Sequence, residues 1–108
     1  MRVEREDGKV AVLVSYGFGA GWSTWVDVDE EHKDFILYGD EHLVELVRLR
    51  DFAKAEEYVI SKIGDIYYTG GIYEVSVDWI DKGTKFFIDE YDGAETIITE
   101  EDIVWSVA

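Results

Sequence analysis

Apolar and polar positions along the chain fall into patterned stretches separated by glycine-rich or acidic breaks. Lys9 to Ser15 (KVAVLVS) is apolar on both faces and rich in valine, which predicts a strand buried in the middle of a sheet. A loop of alternating glycines and aromatics follows, Tyr16-Gly17-Phe18-Gly19-Ala20-Gly21-Trp22, and then Ser23-Thr24-Trp25, with Trp22 to Val26 read as extended. Beyond the acidic stretch from Asp27 to Asp34, the short apolar run Phe35-Ile36-Leu37-Tyr38 reads as a second short strand closed by Gly39. Asp40 is the expected N-cap of a helix carrying Leu43, Leu46 and Val47. Asp51 is the expected cap of a second helix with Phe52, Ala55, Val59 and Ile63 on one stripe, stopped by Gly64. No breaker separates them at Arg48-Leu49-Arg50, so one bent rod remains an alternative to two helices.

Downstream the period changes from helical to alternating. In Tyr73 to Trp79 the residues Tyr73, Val75, Val77 and Trp79 share a face, the pattern of a half-buried strand. Asp81-Lys82-Gly83 supplies turn chemistry, Thr84 to Tyr91 reads as the returning strand, and Asp92-Gly93 turns into Ala94 to Thr99. The expected fold class is α+β: a buried N-terminal strand, two central helices and a C-terminal three-stranded antiparallel meander in one sheet. Thr99 with Asp102 is placed to cap a single helical turn, and Ile103-Val104-Trp105 is an apolar tail expected to dock against the body.

The 108 residues suit a single domain spanning 1–108, and 47% hydrophobic with 15% aromatic content is enough to build a core despite the charge. Cysteine is absent, which removes disulfides and thiolate chemistry and fits a reducing compartment. The longest apolar run, Val10 to Val14, is too short to span a membrane, and the charged stretch Arg2 to Lys9 lacks the apolar region of a signal peptide. The expected placement is cytoplasmic. A formal charge of -15, from 25 acids against 10 bases, disfavours direct contact with nucleic acid or anionic lipid. It allows attraction to a basic protein surface, and it also serves plain solubility. From Glu74 onward the only bases are Lys82 and Lys85, so the meander is the acidic end, whereas Arg48, Arg50 and Lys54 form the one basic cluster.

KVAVLVS, GAGWSTW at Gly19 to Trp25, YTGG at Tyr68 to Gly71, and VDWIDKGTKFFIDEYDGAE from Val77 to Glu95 resemble, in that order, a group of small, largely uncharacterised bacteriophage-encoded proteins. The GTxFxIxEYDGxE pattern at Gly83 to Glu95 belongs to the same resemblance. This chain departs from it at Val26, where asparagine is expected, and at Asp81, where proline is expected. The resemblance implies a phage accessory protein, acting in the host cytoplasm if so encoded, and attaches no reaction to the chain.

Two stretches qualify as sites. In the first, backbone N–H groups of Gly17, Gly19 and Gly21 form a potential anion nest beside the stacking faces of Tyr16, Trp22 and Trp25 and the hydroxyls of Ser23 and Thr24. Arg48 or Arg50 would supply the positive charge for a phosphate, if necessary across a homo-oligomer, an assembly that the aromatic content also suggests. The glycine spacing is neither that of a dinucleotide-binding turn nor that of a P-loop, and a tight aromatic-packed turn explains it equally. In the second, Asp89, Glu90, Tyr91, Asp92 and Glu95 cluster around a turn, as partner contacts, as ligands of a hard cation, as a paired acid and base, or as solvated hairpin carboxylates, the reading preferred over the cation and acid-base ones. The Asp27, Asp29, Glu30, Glu31 and Asp34 cluster is read as solvated too. His32 and His42 lack the pattern of a metal site, and no serine nucleophile can be nominated from Ser15, Ser23, Ser61, Ser76 or Ser106.

No cofactor, metal or catalytic residue is therefore expected, and the chain reads as a binding protein rather than an enzyme. The first expectation is an acidic inhibitor of a host or anti-phage defence protein, of anti-CRISPR or anti-restriction type, occupying a basic surface. The alternative is a protein that sequesters a nucleotide-like molecule in the Gly/Trp loop. Carboxylate-based hydrolysis ranks third.

Overall fold

The computed structural model describes residues 2–65, 67–103 and 106–108. Its elements are β1 (Lys9–Ser15), α1 (Glu30–Tyr38), α2 (Glu41–Arg48), α3 (Phe52–Ile63), β2 (Val75–Asp81), β3 (Phe86–Tyr91) and β4 (Ala94–Thr99), with 3-10 turns at Gly70–Glu74 and Glu100–Asp102. The fold is α+β, but the three C-terminal strands do not form one meander. β2 pairs antiparallel with β1, from Lys9↔Asp81 to Ser15↔Val75, whereas among the described residues β3 pairs with β4 alone.

Layering explains this arrangement and the sequence of β1 together. Ala11 and Leu13 face a core shared with Leu43, Val47, Ala55 and Val59 of the helices, while Val10, Val12 and Val14 face a second cluster that includes Phe86, Ile88 and Ile97 of the hairpin. The two-stranded β1/β2 sheet is thus sandwiched between α2/α3 and the β3/β4 hairpin. β1 is apolar on both faces because it lies in the middle layer, not because strands flank it throughout. The Lys82 N–H bonds to the Gly8 carbonyl at 2.9 Å, prolonging the β1/β2 pairing, and Thr84-Lys85 then carries the chain into the outer layer.

Asp40 and Asp51 cap α2 and α3 as their positions predict, accepting from the N–H groups of Leu43 at 2.9 Å and Lys54 at 3.4 Å. The break between these helices has no glycine. Arg50 takes the left-handed conformation at φ 58°, while its N–H bonds to the Val47 carbonyl and that of Asp51 to the Leu46 carbonyl, both at 3.0 Å. These are the paired bonds of a Schellman ending, with arginine in the position glycine usually holds.

The run Phe35 to Tyr38, expected as a strand, is the last turn of α1. Glu30 and Glu31 lie in its first turn, where carboxylates complement the helix dipole. At the other end the Gly39 N–H bonds to the Phe35 carbonyl, and the Trp22 indole N–H donates to the Ile36 carbonyl at 2.7 Å. Ile36 enters the helical core and Tyr38 the hairpin core, so α1 spans the seam between the two clusters. Trp22 to Val26, expected as extended, instead folds into a turn in which the N–H groups of Trp25 and Val26 both bond to the Trp22 carbonyl. Tyr73, expected on the strand, belongs to the 3-10 turn before it and is exposed. The turn predicted from Thr99 and Asp102 is present with both bonds of a capping box. Of the expected apolar tail, Ile103 is half-buried, and Val104 and Trp105 lie outside the described residues.

Candidate functional site: the glycine loop and the hairpin

The two stretches singled out in the sequence meet in space, and Glu95 joins them. Alternation along β4 turns Glu95 inward, where it is fully buried and accepts from the N–H groups of Ser15 at 3.0 Å, Trp22 at 2.9 Å and Thr24 at 2.9 Å. The Thr24 hydroxyl adds a fourth bond at 2.6 Å. A concave set of backbone donors is therefore present, but Ser15, Trp22 and Thr24 supply it rather than the glycines expected to, and its anion is the protein's own carboxylate. Expected on the partner-facing surface, Glu95 is instead the internal anchor of the loop.

Further contacts close the loop onto the hairpin turn. The Gly19 N–H donates to the Asp92 carbonyl and the Ser15 hydroxyl to that of Ala20. Asp92 and Gly93 both have positive φ, 49° and 87°, as a two-residue type I′ hairpin turn requires. Gly93 is needed on a second count, since a β-carbon there would lie 2.6 Å from the Ala20 nitrogen. Gly71, from the YTGG stretch, approaches the Gly21 carbonyl so closely that any side chain would collide with it. The glycines thus serve close packing of loop, hairpin and YTGG turn.

Trp22 is fully buried in the helical core, so it has no face to offer a ligand. Trp25 remains partly exposed, donates from its indole N–H to Glu90 at 2.5 Å and packs against Tyr68 with ring centroids 5.9 Å apart. Ser23 is half-buried, and Thr24 is occupied with Glu95. Arg48 pairs with Glu45 at 3.7 Å and stands outside the lining of the cleft beside the loop. Arg50 belongs to that lining: with Tyr16, Gly17, Phe52, Tyr73 and Glu74 it encloses about 230 Å³ within one chain. Its guanidinium carbon lies 5.2 Å over the Phe52 ring. Burial and then Asp78, which accepts the phenol hydrogen bond, raise the Tyr16 pKa above its ordinary value.

Outward from this framework lies a continuous aromatic and acidic surface. Along β3, Phe86 and Ile88 pack inward while Phe87, Asp89 and Tyr91 alternate outward beside Thr96 and Ile98 of β4. Phe87 is 53% exposed, Tyr91 78% and Phe18 71%, and the rings of Phe18 and Tyr91 meet edge to face at 6.3 Å. Asp89 and Asp92 flank them in solvent, whereas Glu90 is drawn in to Trp25 and the Gly93 N–H. Phe18 and Phe87 were not among the nominated residues. Both were legible in principle: Phe18 stands between two glycines in a loop, where no element buries it, and strict alternation through Phe86-Phe87-Ile88 forces one phenylalanine outward.

Among the described residues, no group of three or more His, Asp or Glu side chains is placed to hold a metal ion, and no helix is long and apolar enough to cross a membrane. Comparison of the chain with protein-family models, with curated proteins and with solved structures returns no match.

Proposed function

We propose that this chain acts by binding, without catalysis, and that the outer face of the β3/β4 hairpin together with Phe18 docks onto a basic surface of a protein partner. An inhibitor of a host or anti-phage defence protein that competes with nucleic acid for that surface fits the chemistry best. The observation that carries this reading is the exposed aromatic strip of Phe18, Phe87 and Tyr91, flanked by Asp89 and Asp92 on a chain of formal charge -15. Exposed aromatic clusters bury well against another protein, and the surrounding acids select a basic one and accelerate encounter. Rigidity supports the same reading, because the buried Glu95 bonds hold the strip in place before any partner arrives.

The test is capture of a partner from host cells by the wild-type chain and by a variant combining Asp89→Lys with Asp92→Asn. Asparagine tolerates the left-handed conformation at position 92, so the variant keeps its turn. Capture that is stoichiometric, weakened by salt and lost in the variant supports the reading. Capture unchanged by the charge reversal overturns it.

A second reading, sequestration of a small nucleotide-like molecule, draws support from the cleft that unites Tyr16, Gly17 and Arg50. It is weakened because the Gly19 N–H is taken by the Asp92 carbonyl and the neighbouring loop donors by Glu95, and because Glu74 adds a negative charge to the cleft wall. Titration with nucleoside monophosphates, wild type against Arg50→Ala, decides it: saturable binding lost in the variant favours the cleft, and its absence leaves the hairpin face.

A further inference from the structure

We propose that the cavity between α1 and the segment preceding β1 is a socket for an arginine side chain of a basic partner, and that Arg2 occupies it as an internal stand-in. This deepens the binding reading, on which it rests only for the identity of the partner. The cavity holds about 670 Å³; the acids Glu31, Asp34 and Asp40 outnumber the one cation of its wall besides Arg2, Lys62, and His32, Phe35 and Tyr38 supply its ring surface. Val3 to Arg5 is tied along β1, with the Ala11 N–H bonded to the Val3 carbonyl and the Arg5 N–H to the Lys9 carbonyl, both at 2.9 Å. That tie delivers the Arg2 guanidinium to 4.0 Å above the Tyr38 ring.

The chemistry of the walls selects the occupant. Phe86 packs edge to face on Tyr38 at 6.3 Å and fixes the ring that the guanidinium covers. A planar guanidinium stacks on such a ring and leaves its N–H fork free for carboxylates, which a lysine ammonium does less well. Asp40 is engaged in capping α2 and in accepting from the Tyr58 hydroxyl, whereas Asp34 has no ion-pair partner among the described residues. Arg2 and Tyr38 also line a neighbouring cavity of about 440 Å³ with Ile80 and Phe86, so displacement of Arg2 opens one space into the other. Arg2 itself is exposed, so an arginine arriving from outside would displace its side chain and leave the tied Val3 to Arg5 backbone in place.

The experiment is an amide NMR titration with N-acetyl-arginine amide, and with N-acetyl-lysine amide for comparison. Saturable shifts confined to Glu31 through Asp40 are expected, stronger for the arginine probe. Arg2→Ala, which removes the competing side chain, should tighten binding about two- to fivefold. Arg5→Ala removes the same charge from a guanidinium that lies over Trp79 at 4.7 Å and should leave affinity unchanged. Asp34→Asn, on an exposed position, should weaken it. Unsaturable or scattered shifts, or equal effects of Arg2→Ala and Arg5→Ala, overturn the socket. None of these readouts requires the partner, so their failure is distinguishable from failure of the hairpin reading.

Discussion

Glu95 accepts four hydrogen bonds while shielded from solvent, so its loss strands three backbone N–H groups and a hydroxyl inside the protein. Glu95→Ala should cost about 3–5 kcal/mol, a large share of the stability of a domain this size, read as a lowered urea midpoint. Trp22→Ala should cost a similar amount through its cavity and the lost bond to Ile36, whereas Trp25→Ala, on a half-open surface, should leave the fold standing. Equal stability of all three variants with wild type would show the loop to be separable from the core. Tyr58 provides a pH test at the same scale. Burial, and then the Asp40 carboxylate that accepts its hydroxyl hydrogen, push its phenol up to about 12 from the ordinary 10. The folded chain therefore holds that proton more tightly than the unfolded one. Its contribution is complete below pH 10 and is lost as pH rises toward 12. Phenolate absorbance should show late-titrating tyrosines, Tyr16 among them, whose amplitude falls by one phenol in Tyr58→Phe, and the alkaline decline in stability should become shallower in that variant.

At the scale of elements, the helices with amphipathic stripes and aspartate caps were legible because local chemistry decides them: Asp40 and Asp51 sit one residue before their helices and accept the bonds expected. Phe35 to Tyr38 was misread because a short apolar run has no diagnostic period, and what makes it helical is distant, the Trp22 indole on the Ile36 carbonyl. The meander failed for a related reason. Alternation names the strands and Asp92-Gly93 names one turn, yet which strand pairs with β2 depends on burying both faces of β1, a choice between layers rather than neighbours. The candidate site was half legible: the loop and hairpin carry the distinctive residues, but Glu95 looked like one more surface acid until β4 turned it inward. The Arg50 junction yields a prediction of its own. A left-handed arginine carries strain that glycine does not, so Arg50→Gly should raise the urea midpoint by an amount equivalent to about 0.5–1 kcal/mol. Arg50→Ala should give no such gain. A fall in stability with Arg50→Gly would mean that the contact with Phe52 outweighs the strain.

Across the whole molecule, a middle sheet is clamped between helices and hairpin, and the outer face of the hairpin carries exposed aromatics beside acidic side chains. A net charge of -15 makes that face attractive to basic proteins over a distance set by salt, about 10 Å at 0.1 M. Association should therefore slow with ionic strength, while Phe87 and Tyr91 govern how long the complex lasts. The most direct measurement is native mass spectrometry of the chain recovered from cells that express it, wild type beside a Phe87→Ala, Tyr91→Ala double variant of matched stability. The expected result is a stoichiometric basic protein on the wild type, released by moderate salt and missing from the variant. The same protein retained by the variant, or a small molecule of fixed mass retained in its place, would contradict it.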